Sequence, residues 1–392
     1  MPAKSSVFAV MSSRQRIPQS NARVPGAKEE FAGHAEPKGS AGHIVRKLRI
    51  ADREIGEGRP CFVVAELSSN HQGDANVAAR LIETAAICEV DAVKLQRRGD
   101  PSNILTREAL NAPYVNERSF GSTYEAHRRA LELPDEAWPK LQALAQARSL
   151  LFFATPYDPD SADFLARLHI PIVKVASCDV TNPPLLTAVA RMGVPVFLST
   201  GMSTEDEIDH AVRLIWRETT DLGLLHCISA YPTSNDEVNL RYMRRLGKRY
   251  DTLVGFSDHT RGIAIAVAAV TLGASVIEKH FTLDRSARGP DHASSLEPDG
   301  LRRLVRDIRN VEAALVVRPK AVLESERPVR ARLAKSLATC RRIEAGEVIE
   351  RSALCCKGPG TGLSPLLLDE VVGRHAKRAI PAGVLLEPEM LR

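Results

Sequence analysis

Charged, hydroxyl and imidazole side chains recur directly after short apolar runs of this sequence. Eight such runs end on Glu66, Asn70 and His71; Lys94 and Gln96; Thr155, Tyr157 and Asp158; Lys174, Ser177 and Asp179; Ser199, Thr200 and Gly201; His226, Ser229 and Tyr231; Ser257, Asp258 and His259; and Glu278, Lys279 and His280. Any one of them could be a surface loop residue, but folding alone does not explain eight polar endings. Lys94 and Lys174 are cations, while Thr155, Ser177, Ser199 and Ser257 carry hydroxyls, a set suited to holding a phosphate and a carboxylate together. His259 and His280 follow neighbouring runs at matching heights, where two neutral imidazoles can chelate a divalent metal and leave positions for water and substrate. The alternative for either is a core histidine hydrogen-bonded in place. Glu66 and Glu278 could orient hydroxyls, handle protons or pair with a nearby lysine.

One kind of scaffold brings eight run ends together. The runs Cys61–Glu66, Ala92–Leu95, Leu151–Ala154, Ile172–Ala176, Val194–Leu198, Gly223–His226, Leu253–Phe256 and Ser275–Glu278 have strand texture. Between them, Ala75–Cys88, Asp135–Ala147, Pro183–Met192, Thr204–Ile215 and Gly262–Leu272 show helical spacing of apolar residues. This alternation predicts an α/β fold, a closed parallel (β/α)8 TIM barrel, whose chemistry gathers at the C-terminal ends of the strands. An open doubly wound sheet would usually show a glycine-rich phosphate turn after its first strand, and here that turn reads Glu66-Leu-Ser-Ser-Asn-His71. The connection from Arg97 to about Pro134 is long enough to be a lid.

The chain has 392 residues, 44% of them hydrophobic and 26% charged, enough for a sizeable core. Residues 1–49 carry nine Lys/Arg and three Asp/Glu, so +6 of the net +5 lies there and residues 50–392 sum to −1. A near-neutral body with 5% aromatics argues against a nucleic-acid partner. No apolar run reaches the roughly eighteen residues of a membrane span. Seven cysteines without a C-x-x-C suggest reduced thiols and a cytoplasmic location. Residues 1–48 read as a disordered N-terminal extension, 49–318 as the barrel domain, 319–328 as a linker and 329–392 as a small second domain. In that last part Ile343–Leu354 matches Ile380–Leu391 at an offset of 37 residues, each copy reading strand, Ala-Gly turn, strand and short helical turn.

Collinear motifs make the pattern recognisable: Ala65-Glu66-Leu-Ser-Ser-Asn70-His71, Val93-Lys94-Leu-Gln96, Phe153-Ala-Thr155-Pro156, Lys174-Val-Ala-Ser177, Ser199-Thr200-Gly201-Met202, Gly255-Phe-Ser257-Asp258-His259, and Glu278-Lys279-His280 with Gly289-Pro290-Asp291-His292. From residue ~58 onward the chain resembles the sialic acid (N-acetylneuraminate) synthase family, whose C-terminal part is an antifreeze-like (SAF) domain. The resemblance implies condensation of phosphoenolpyruvate with an N-acylated hexose, N-acetylmannosamine-like, giving a nine-carbon 2-keto-3-deoxy sugar acid and phosphate. It implies Glu66 and Glu278 as catalytic carboxylates, and Lys94, Thr155, Lys174, Ser177, Ser199, Ser229 and Ser257 around phosphoenolpyruvate. It also implies Gln96, Tyr231 and Asp291 on the sugar side, His259 and His280 on a divalent metal (Mn2+ or Mg2+), and a domain-swapped homodimer. Ser229 stands where many members have Asn. The family's frequent Lys-Arg-Pro-Gly-Asn-Gly run is Lys357-Gly358-Pro359-Gly360-Thr361-Gly362 here, so Gly358 cannot supply the arginine.

Two other classes compete. One is another phosphoenolpyruvate-condensing synthase of the 3-deoxy-sugar-phosphate type, for which Arg97 and Arg98 are the available cations. The other is a non-catalytic sugar-binding homologue, expected to have lost a lysine or histidine from the set above.

Overall fold

The computed structural model describes residues 47–392; the proposed extension over 1–48 lies almost wholly outside them. A short antiparallel hairpin, β1 (Lys47–Ile50) and β2 (Arg53–Gly56), opens the described chain. Eight parallel strands follow: β3 (Phe62–Ser68), β4 (Ala92–Arg97), β5 (Leu151–Pro156), β6 (Val173–Val175), β7 (Val196–Ser199), β8 (Leu222–His226), β9 (Leu253–Asp258) and β10 (Val276–His280). They pair in sequence order, and β10 returns to β3 to close the barrel, as the alternation predicted.

Strand period two sorts the barrel side chains into two layers. One set, including Val63, Ala65, Val93, Phe152, Val175, Leu198 and Ile277, packs outward under the surrounding helices. The other points inward, and its lower tier is apolar: Phe62, Val64, Ala92, Phe153, Ile172, Phe197, Leu225, Leu253 and Val276. Leu48, Ile50 and Ile55 of the hairpin join this inner cluster and plug the N-terminal end of the barrel. The sequence reading placed no element there. Gly255 is required inside, since a Cβ would stand 2.5 Å from Leu225 and 2.7 Å from Val276.

The long connection after β4 is not a bare flap. It folds into a 3-10 turn at Pro101–Asn103 and helices Arg107–Asn111 and Tyr124–Ala130. Tyr114, Phe120 and Tyr124 ring the buried His127, and Gly73 in the turn after β3 backs directly onto this segment, its missing Cβ only 2.4 Å from the Ala130 carbonyl oxygen.

Past the helix Pro298–Ala314, β11 (Ser336–Thr339) and β12 (Leu354–Lys357) form a small sheet over a separate core that includes Leu337, Ile343, Ile349, Ile380 and Leu386. The repeated segments meet each other here. Ile343 and Ile380 exchange backbone hydrogen bonds of 2.9 and 2.8 Å, the Ala-Gly turns place Gly346 and Gly383 both at φ 80°, and each copy ends in a 3-10 turn. Single bridges replace most of the expected strands.

Candidate active site

The inward register that is apolar at the bottom of the barrel turns polar at the top. Two residues on from Val64 stands Glu66; two and four on from Ala92, Lys94 and Gln96; two on from Phe153, Ile172 and Phe197, Thr155, Lys174 and Ser199; and two and four on from Val276, Glu278 and His280. Together with Ser257 and His259 these line a cavity of about 260 Å³ at the C-terminal strand ends. A register shift between Glu66 and Ser68, with Ser68 at φ 51°, turns the end of β3 so that both side chains face this mouth.

Lys94 is the hub. Its Nζ lies 2.7 Å from Glu66 Oε2 and 3.4 Å from Glu278 Oε2, and donates to Thr155 Oγ1 at 3.0 Å. Lys174 Nζ reaches Glu278 Oε1 at 3.3 Å, and Ser257 Oγ donates to the same oxygen at 2.9 Å. Burial alone would lower the Lys94 ammonium, but Glu278 and Glu66 together hold it above the usual lysine value. For Lys174 burial wins, because Glu278 is shared and Lys94 repels it, and its pKa falls. Glu278 is desolvated, yet the two lysines keep its carboxylate well below the usual range.

On the opposite wall, hydroxyls gather around Gly201. Ser177 Oγ accepts from Gly201 N at 3.0 Å and lies 3.1 Å from Cys227 Sγ. A methyl group at Gly201 would stand 2.5 Å from Ser229 Oγ, 2.7 Å from Cys227 Sγ and 2.9 Å from Ser177 Oγ. Ser199 Oγ is buried there without a hydrogen-bond partner.

His259 and His280 face each other with ring centroids 5.5 Å apart, and Tyr231 packs on His259 at 4.2 Å. His259 Nδ1 is 2.7 Å from the Ile228 carbonyl oxygen, which accepts its proton and leaves the lone pair on Nε2. Burial first, then His280, pushes the His259 pKa down to about 3, so the ring is neutral. His280 Nδ1 is buried with no partner. Among the described residues no three His, Cys, Asp or Glu side chains form a metal cage. A divalent cation held by these two imidazoles would need water and substrate as its remaining ligands.

Thirteen of the fourteen residues singled out from sequence line the cavity. Asp291 does not; it accepts a hydrogen bond from Ser68 Oγ, which lies behind Gln96. Three other strand-end residues turn outward: Lys279 pairs with Asp258 at 2.7 Å, and His226 meets the Val238 carbonyl oxygen at 2.7 Å. Asn70 donates to Phe281 O and Ser295 Oγ, tying two loops together. Cys227 also lines the cavity, as do Tyr157, named only as a run-end residue, and Arg98, named only as a cation for the competing synthase class. Each continues the inward register two residues beyond Gln96, Thr155 or Leu225, and that step could have found them.

His71 is likewise structural. Its Nδ1 accepts from Gly73 N at 3.1 Å, and burial pushes its pKa down to about 4. A depressed histidine pKa means the folded state binds fewer protons than the unfolded one. The stabilisation is complete above the unfolded value near 6.5 and is lost as pH falls toward 4, by about 3 kcal/mol at most. Urea unfolding between pH 7 and pH 4 is expected to show this decline, and His71→Gln to flatten it; an unchanged slope would remove His71 from the account.

The NeuB family model matches residues 81–320, and a SAF domain model matches residues 334–392. The chain is 38% identical to the N-acetylneuraminate-9-phosphate synthase of Mus musculus, over 82% of this chain and 90% of that one. It is 37% identical to the N,N'-diacetyllegionaminic acid synthase of Campylobacter jejuni, over 81% of this chain and 96% of that one. A crystal structure of N-acetylneuraminic acid (sialic acid) synthetase from Leptospira borgpetersenii superposes with a TM-score of 0.64 at 33% identity, covering 73% of this chain and 95% of that one. By sequence and by fold the chain belongs to the NeuB family of synthases, a TIM-barrel enzyme with a SAF domain at its C-terminal end.

Proposed function

We propose that this enzyme condenses phosphoenolpyruvate with an N-acylated hexose to give a nine-carbon 2-keto-3-deoxy sugar acid or its phosphate ester. The observation that carries the reading is the buried Lys94–Glu278–Lys174 chain facing a hydroxyl cluster in one cavity. Phosphoenolpyruvate is a small trianion at most, and two lysines with five hydroxyls match its carboxylate and phosphate. C3 of the enol bonds to the aldehyde carbon, the aldehyde oxygen takes up a proton, water adds at C2 and phosphate departs with cleavage of its C–O bond.

Each residue has a part in this scheme. Lys94, Thr155, Lys174 and Ser257 bind the anion from one side, and Ser177, Ser199 and Ser229 from the other. Glu66 and Glu278 offset the positive charge that develops at C2, and Glu66 also orients sugar hydroxyls, with Gln96 donating to it at 3.0 Å. Gln96 and Tyr231 flank the sugar, and Asp291 fixes Ser68 behind them. His259 and His280 would hold a divalent cation, Mn2+ or Mg2+, which when bound polarises the aldehyde oxygen. A homodimer completes the proposal, supported by apolar side chains left exposed across the linker and its helix, among them Val317, Leu323 and Leu333.

The test is a screen of N-acylated hexoses and their 6-phosphates against phosphoenolpyruvate with Mn2+ or Mg2+, read by phosphate release and product mass. Failure of every aldose would overturn the reading. Gly201→Ala supplies a sharper check of the anion wall. The added methyl crowds Ser177 and Ser229, so the KM for phosphoenolpyruvate is expected to rise at least about tenfold with little change in the KM for sugar. Equal increases in both would contradict the assignment.

A further inference from the structure

We infer that the acceptor carries a phosphate on the carbon remote from its aldehyde, and that Arg98 and Arg128 form the subsite that binds it; this rests on the condensation reading above. Arg98 continues the inward face of β4 beyond Gln96 and lines the cavity. It stacks on the Tyr157 ring at 3.9 Å, and its Nη2 lies 2.9 Å from Gln96 Oε1 and 3.0 Å from the Tyr157 hydroxyl. Both partners are neutral. Among the described residues no carboxylate forms an ion pair with it.

Arg128, on the helix Tyr124–Ala130, is only 7% exposed, and its Nε is buried without a hydrogen-bond partner. It too has no ion pair among the described residues. The nearby acids are engaged elsewhere: Glu132 pairs with Arg97 at 3.4 Å and accepts from the Arg98 and Gly99 N–H groups, and Asp291 accepts from Ser68. Burial and the neighbouring Arg98 both act against the Arg128 charge.

A buried guanidinium beside a second one, with no carboxylate in ion-pair contact among the described residues, costs free energy that the more distant Glu132 returns only in part, since burial still wins at Arg128. A dianionic phosphate monoester would offset it, taking two charge-assisted forks at once. The position fits an acceptor lying along the mouth. Gln96 donates to Glu66, at the reacting end, and its oxygen accepts from Arg98, so the two are one carboxamide apart, comparable with the reach of an open hexose chain. Neutral sugar hydroxyls would not need two unpaired cations.

The test compares N-acetylmannosamine with its 6-phosphate as acceptors for phosphoenolpyruvate in the wild type, Arg128→Met and Arg128→Lys. Wild type is expected to favour the phosphorylated sugar at least about 30-fold in kcat/KM. Arg128→Met should lose most of that preference while changing use of the neutral sugar less than about threefold, and Arg128→Lys should recover part of it. Because the removed charge is unpaired, Arg128→Met should also raise the Tm of the unliganded protein, whereas a purely structural arginine would lower it. Equal use of both sugars by wild type, or equal losses on both in Arg128→Met, would overturn the inference. So would a fall in oligomer size in Arg128→Met with the preference intact, since the arginine would then serve a second copy of the chain. Turnover of the neutral sugar without a phosphate preference sinks only this inference, while no phosphate release with either sugar sinks the condensation reading. In that last case, calorimetry of N-acetylmannosamine 6-phosphate binding decides the subsite. Binding lost in Arg128→Met supports it, and no binding to wild type overturns it.

Discussion

Lys94→Met is expected to lower kcat/KM for phosphate release by at least about 10³-fold, the scale of losing a directed charge in a water-poor site. The ammonium touches Glu66, Glu278 and Thr155 at once, so the substitution removes the link between both carboxylates as well as a contact to substrate. Two buried carboxylates on the neighbouring strands β3 and β10 are then left with one fewer cation. Breaking a buried pair in this way typically destabilises by about 3–5 kcal/mol. The measurement is therefore double: steady-state phosphate release, and the urea midpoint of the same preparation. Glu66→Gln in the Lys94→Met background should recover stability, because it removes the stranded charge, without recovering turnover. Activity within tenfold of wild type would show that the anion binds elsewhere.

The second large effect concerns the imidazole pair. Chelation of divalent cations is expected to bring turnover to background, with recovery on adding Mn2+ or Mg2+, and His259→Ala together with His280→Ala to be inactive with or without metal. Phosphoenolpyruvate affinity should change less than about threefold in that double variant, because the lysines and hydroxyls that hold it are untouched. The physical ground is the pairing of a carbonyl-fixed tautomer at His259 with an unpartnered buried nitrogen at His280. Chelator-insensitive turnover would instead make the two rings packing partners of Tyr231.

Much of the cavity was legible because strand periodicity is local. Once Val64, Ala92 and Val276 face inward, Glu66, Lys94 and Glu278 must follow two residues later, whatever the rest of the chain does. The same rule separates Lys279 and Asp258 from their neighbours Glu278 and Ser257, and applying it strictly would have excluded them and added Arg98 and Cys227. Asp291 escaped this logic because it sits in a loop, where no period fixes direction.

By itself the sequence determined the strand and helix alternation, the reversal from apolar to polar along each inward face, and the internal repeat of the second domain. These depend on neighbours within a few residues. Only the tertiary structure decided that a hairpin plugs the barrel floor, that Lys94 shares its charge between residues of β3 and β10, and that Arg128 lies buried near Arg98 with no ion pair among the described residues. Those relations join segments distant in the chain. They follow from how the barrel closes and from where water is excluded, and neither is encoded in any single stretch of residues.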